Sequence, residues 1–188
     1  MILPLAERIL SDLEMTWQQV EGFAVAVGPG SYTGLRIGVA AAKAMAFALG
    51  VPCAGISTLE GLAWQGMAHM GLICPVMTAR QTLVYAGIYR SSGTAVTCEQ
   101  ADGILEQQEL AQQLNALGEP VLLVGDGAES VGNLLEQPRV LPVQQLQNGV
   151  GICLAAAARG AWIPPEQLLP SYLQQVKAEK DLQERKAH

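Results

Sequence analysis

The chain has 188 residues, half of them hydrophobic and 15% charged, with a mean hydropathy of +0.25; this excludes wholesale disorder and fits one large domain or two small lobes. Seventeen acidic residues against eleven basic ones give a net charge of −6 and a pI near 4.9. Little counterion release is then available on nucleic acid, which excludes unaided RNA or DNA binding as the main activity.

The predicted elements follow in order. Residues 3–15 read as an amphipathic helix with Leu3, Leu10 and Leu13 on its apolar side. The run Phe23 to Val27 has no polar alternation, which suits a strand covered on both faces in a parallel sheet. A loop, Gly28-Pro29-Gly30-Ser31-Tyr32-Thr33-Gly34, leads into a helix over 35–49 closed by Gly50 and Pro52. A second buried strand spans 52–56. Ser57 and Glu60 have capping-box spacing, so the next helix starts there and is expected to reach His69. Two buried strands are too few for a sheet covered on both faces. The chain also opens inside a helix with no cap before Ile2, so further strands are expected upstream of Met1.

Beyond Met70 the texture changes. Strands are predicted at 72–78, 82–89 and 94–98, with a turn at Ser91-Ser92-Gly93. A helix at 107–117 and a strand at 121–124 follow, the strand ending in Gly125-Asp126-Gly127. A short helix, a strand near Val140 and an Ala-rich helix over 149–161 precede Pro164-Pro165 and a charged tail. Antiparallel strands followed by α/β units predict a second sheet with its own core. The lobes are expected to be residues 1–70, and 71–188 with a C-terminal helical tail.

Little of this pattern carries catalytic chemistry. The 28–34 loop, between a buried strand and a helix start, is placed where backbone N–H groups and a helix dipole hold an anion. Gly28, Gly30, Ser31 and Thr33 are therefore candidate nucleotide contacts, as are Gly125, Asp126 and Gly127 on the other lobe. The bland alternative is a tight turn with Ser31 or Thr33 capping the helix. No Walker-type Gly-Lys-Ser/Thr follows the loop, and Thr33 stands where a dinucleotide fingerprint needs its third Gly. His69 and His188 are too few for a His-based metal site, and HxxxH, HExxH and the G-x-S-x-G elbow are absent from the sequence. Asp126 has no acid–base partner and Glu60 is assigned to capping, so catalytic residues are expected to be none. The four cysteines, Cys53, Cys74, Cys98 and Cys153, form no CxxC pair and read as small buried hydrophobes in a reducing, cytoplasmic setting. No apolar run reaches 18 residues without a charge, so no membrane contact is expected.

The helix over 35–49 is the most informative element. Its charged residues, Arg36 and Lys43, share a strip with Ala40 and Phe47, and the remainder is small and apolar. Such a helix buries most of its circumference. Either the opening helix of the same chain covers its second face, or that face packs against another protein.

The block GPGSYTGLRIGVAAAKAMAFALGVPCAGISTLE, Gly28 to Glu60, closely resembles the bacterial TsaB (YeaZ) family of tRNA threonylcarbamoyladenosine biosynthesis proteins. Ile2-Leu3-Pro4, Ala79-Arg80 with Val84-Tyr85, Gly125 to Ala128, and Pro170 to Leu173 extend the resemblance along the chain. It implies an α/β, two-lobed actin-like ATPase/sugar-kinase fold with the first lobe truncated at its N-terminus. It also implies a non-catalytic scaffold that pairs with a TsaD-like threonylcarbamoyltransferase, joined by a TsaE-like ATPase. The interface would use Leu3, Leu10, Arg36, Ala40, Lys43, Ala44 and Phe47. No cofactor of its own is implied: ATP or ADP and a metal belong to the partner, tRNA is reached only through the complex, and a homodimer is possible when the chain is alone. Thr78 stands where the family usually carries an acid. The competing function is an ATP-dependent kinase-like enzyme built on the two Gly turns; a metal-peptidase reading lacks ligands.

Overall fold

The structure, a computed structural model, describes residues 2–136, 140–143 and 146–173. Among these residues the strands form two sheets. The first pairs β1 (Phe23–Gly28) in parallel with β2 (Cys53–Ser57), with Phe23 opposite Cys53 and Ala26 opposite Ile56. Between them runs α2 (Tyr32–Leu49), and α3 (Thr58–Gln65) starts directly from the end of β2. The alternation of β1 explains its unbroken apolar sequence. Phe23, Val25 and Val27 pack with Val39, Ala42 and Ala46 of α2, while Ala24 and Ala26 join Ala54, Ile56 and Trp64 on the opposite face.

The second sheet has the order β5-β4-β3-β6-β7. Its strands are β3 (Gly71–Arg80), β4 (Leu83–Ser91), β5 (Val96–Glu106), β6 (Val121–Val124) and β7 (Val140–Val143). β3, β4 and β5 pair antiparallel; β3, β6 and β7 pair in parallel. On one face α4 (Gln107–Ala116) and α5 (Ala128–Gly132) bury Leu110, Leu114 and Val131 against Leu72, Cys74, Val76 and Val84. On the other, Leu59, Leu62 and Ala63 of α3 pack on Ile73, Met77, Leu122 and Val124. Fully burying each of these large aliphatics contributes about 1.5–3 kcal/mol. α3 is thus the layer shared by both sheets, and its residues Thr58 through Trp64 are all buried.

Helix α6 (Gly149–Arg159) crosses α3 at backbone distance. A Cβ on Gly151 would lie 2.0 Å from the Gly61 carbonyl oxygen, and one on Gly61 would lie 2.5 Å from Ile152. Ile152, Ala155 and Ala156 then close the first sheet's core. Residues after 70 were all expected in the second lobe; instead α6 and the segment after it pack on the first sheet. Cys53 and Ile163 exchange backbone hydrogen bonds at 2.8 Å, and Leu168 is buried beside Val39. The charged tail, with His188, lies outside the described residues.

Other expectations shift for local reasons. The opening helix, α1 (Ile2–Asp12), stops early as the backbone turns through Glu14 at φ +54°. α2 starts at Tyr32 because Ser31 caps it, accepting from the Gly34 N–H at 3.3 Å. α3 ends at Gln65, and a hydrogen-bonded turn carries the chain to His69. Ser57 caps α3 through the Leu59 and Glu60 N–H groups, but Glu60 does not reach back to complete a capping box; it pairs with Arg159 of α6. Cys53 and Cys74 are buried as expected, and burial pushes the Cys74 thiol up to about 12. Cys98 and Cys153 are exposed, contrary to expectation.

Candidate functional site

The two Gly turns have different neighbours. Gly28 follows β1 at φ +131°, and Gly28 and Pro29 are buried. A Cβ on Gly28 would stand 2.2 Å from the Ser171 carbonyl oxygen, and the Ser171 N–H donates to the Val27 carbonyl at 2.7 Å. The missing side chain therefore admits the chain's own returning segment. Ser31 is occupied as the cap of α2, while Gly30 and Thr33 are exposed. Gly125, at φ +109°, lies against β3, where a Cβ would meet the Val76 carbonyl oxygen at 2.2 Å. The Gly127 N–H donates to that same carbonyl at 3.1 Å. Asp126 accepts from the Thr78 N–H at 3.1 Å, so its carboxylate fastens the turn to β3. Each residue of the second turn thus has a packing or bonding role. Among the described residues no group of three or more His, Cys, Asp or Glu could hold a metal ion, and no helix is long and apolar enough to cross a membrane.

The predicted contact residues present a different picture. α2 buries Leu35, Val39, Ala42 and Ala46 and leaves Arg36, Ile37, Ala40, Ala44, Phe47 and Ala48 exposed. Phe47 is 72% exposed and Ile37 58%. Ile37, Ala40, Ala44 and Phe47 recur at helical spacing, with small residues between two larger ones. Lys43 is not part of this open face. Its ammonium donates to the Leu168 carbonyl at 3.0 Å and the Glu166 carbonyl at 3.3 Å. Arg36 donates to the Tyr32 hydroxyl at 2.9 Å and lies over the Tyr32 ring, which itself packs on Tyr172. The strip of Arg36, Ala40, Lys43 and Phe47 is therefore bordered along one side by the chain's own residues 165–172.

The opening helix does not provide that cover. α1 buries none of its residues, and no other element packs firmly on it among the described residues. Ile2, Leu5, Ile9 and Leu13 are all exposed at the spacing of one helical stripe, Leu3 is exposed as well, and Leu10 is half-buried. The chain thus carries two apolar helical faces that nothing among the described residues covers.

Sequence reasoning missed a polar joint where the two sheets meet. Ser57, at the end of β2, donates its hydroxyl to Asp102 of β5, and Tyr89 of β4 donates to the same carboxylate at 2.6 Å. Nearby, Arg159 pairs with the buried Glu60 at 2.8 Å. Burial holds the Glu60 carboxyl above the usual range and Arg159 opposes it, while Asp102 adds to the rise. Burial, then Asp102, pushes the Tyr89 hydroxyl far up. Gly87 leaves room for the joint, since a Cβ there would lie 2.5 Å from Asp102 Oδ1. Asp102 lies beyond the strand predicted over 94–98, in the stretch by which β5 exceeds that prediction.

Fold and site together define an α/β protein of the actin-like type, in which exposed helix faces, rather than a cluster of acids and bases, are the outstanding surface. The family model described as TsaD: tRNA N6-adenosine threonylcarbamoyltransferase matches residues 1–137. The Bacillus subtilis tRNA threonylcarbamoyladenosine biosynthesis protein TsaB is 37% identical over 65% of this chain and 54% of its own length. The Escherichia coli TsaB is 26% identical over 96% of this chain and 82% of its own. The solved structure of YeaZ from Pseudomonas aeruginosa superposes with a TM-score of 0.78 at 27% identity, covering 91% of this chain and 82% of that one. The chain belongs to this threonylcarbamoyladenosine family, on its TsaB (YeaZ) branch. It spans about half the length of the Bacillus subtilis relative it matches.

Proposed function

We propose that this chain serves threonylcarbamoyladenosine formation on tRNA as a non-catalytic subunit, pairing with a TsaD-type threonylcarbamoyltransferase through α2 and α1. The observation that carries the reading is the open face of α2, where Ile37, Ala40, Ala44 and Phe47 are exposed on a helix otherwise built for burial. Small residues let a second helix approach closely, and two larger side chains at the ends fix its register. The exposed stripe of α1 offers a second helix to the same partner. The transferase chemistry, with its nucleotide and metal, falls to the partner, and tRNA is met through the complex. A TsaE-type ATPase joins the assembly.

The reading of the chain as an ATP-dependent enzyme has less support, because Gly28 and Gly125 are spaced for backbone neighbours and Asp126 is bonded to β3. The test is threonylcarbamoyladenosine formation on tRNA by the TsaD-type paralogue and TsaE-type ATPase, with and without this chain. Product should depend on the chain and be lost with Phe47→Asp. Product formed equally well in its absence would contradict the proposal.

A further inference from the structure

After α6 the chain returns along the α2 side of the first sheet. The segment is anchored at one end by the Cys53–Ile163 bridge and at the other by the Ser171 N–H on Val27 and the Tyr172 ring 5.1 Å from Tyr32. Between these anchors a short 3-10 turn, Pro165–Gln167, faces α2 across a groove of about 390 Å³. Lys43, Ala44, Phe47 and Ala48 line one side; Pro165 and Glu166 line the other. Lys43 is the side chain that spans the two, through its bonds to the Glu166 and Leu168 carbonyls. A cation placed on the last carbonyls of a turn satisfies acceptors that the turn itself leaves open.

We propose that Lys43 is a positioning residue that acts within the chain, clipping the 165–168 turn to α2 so that helix and turn together form the docking face. The groove between them then accepts one aliphatic or aromatic side chain from a helix of the TsaD-type partner. The inference deepens the docking proposal and rests on it. An ammonium directed at a partner would have to be desolvated on binding, at a cost that rises with burial. With two protons already spent on carbonyls of its own chain, Lys43 can be covered with one donor left to satisfy. The alkyl stem meanwhile adds apolar lining beside Phe47.

Amide hydrogen exchange on the free full chain, compared among wild type, Lys43→Met and Lys43→Arg, tests the clip. In Lys43→Met the Leu168 and Ser171 amides should exchange about tenfold faster, because two charge-assisted hydrogen bonds of modest net strength are lost. The amides of α3 and β3 should be unchanged, which separates local release from unfolding, and Lys43→Arg should restore protection. Association with the TsaD-type paralogue should weaken about tenfold in Lys43→Met and recover in Lys43→Arg. Weakened pairing with no change in exchange would place Lys43 in direct contact with the partner and overturn the clip. Faster exchange with unchanged pairing would overturn the composite face. If the wild-type chain does not pair with the paralogue at all, the docking proposal fails, while exchange in the free chain still decides whether Lys43 holds the turn.

Discussion

Helices α2 and α3 have similar apolar sequences and opposite surroundings. α3 lies between the two sheets and beneath α6, so even its Thr58 and Glu60 are buried. α2 is more than twice as long and buries only four residues, leaving Arg36, Ile37, Ala40, Ala44, Phe47 and Ala48 among those exposed. Composition therefore does not separate a covered helix from one left open; the packing around it does. An apolar helix sandwiched by sheets stabilises the chain, whereas the same kind of helix left open has apolar surface still to bury. Substitutions in α3 should act on folding and those on the open face of α2 on association.

The largest effect is expected at Leu62, which is fully buried between α3 and the second sheet. Leu62→Ala should lower unfolding free energy by about 3 kcal/mol through lost burial and an unfilled cavity, measurable by urea denaturation. Gly151→Ala comes next. Alanine improves helix propensity by about 1 kcal/mol, yet its Cβ would lie 2.0 Å from the Gly61 carbonyl oxygen. The α3–α6 crossing must then open, for a net loss of about 2 kcal/mol in the same measurement.

A smaller effect, readable by its pH dependence, is expected at Glu60. Burial raises its folded pKa above that of a free carboxyl, so the ionised form is disfavoured in the folded state. Its contribution is therefore fully present below the unfolded pKa and is lost as pH rises through the folded value. Wild type should lose stability relative to Glu60→Gln as pH rises above the ordinary carboxylate range, and the loss should level off once the folded carboxyl is ionised. A difference that moves the other way would mean that Arg159 outweighs burial. The smallest stability effect belongs to the contrasting helix: Phe47→Asp should shift the unfolding free energy by no more than about 0.5 kcal/mol, because the side chain is 72% exposed.

Much of this division was legible in the residues. The unbroken apolar run Phe23 to Val27 and the antiparallel-then-parallel texture after Met70 predicted two sheets, and the structure has both. Gly50 closes α2 in the left-handed conformation at φ +67°, as its position implied. What was not legible depended on contacts distant in sequence. β5 runs to Glu106 because it pairs with β4 as far as Leu83, and its Asp102 is held by Ser57 and Tyr89, partners 45 and 13 residues away. Glu60 carries capping spacing, but its carboxylate is claimed by Arg159 on a helix that sequence alone placed in the other lobe. Among the candidate contacts, periodicity put Lys43 and Phe47 on one strip. It could not show that Glu166 and Leu168 return to take the lysine while the phenylalanine stays open.

The most direct test of the open face of α2 is light scattering of the chain mixed with its TsaD-type paralogue, comparing wild type with Ala44→Asp. A one-to-one complex is predicted for wild type, and a loss of at least about 2 kcal/mol in association for the variant, whose unfolding midpoint stays unchanged. Equal pairing by both proteins would contradict the assignment of α2 as the docking helix.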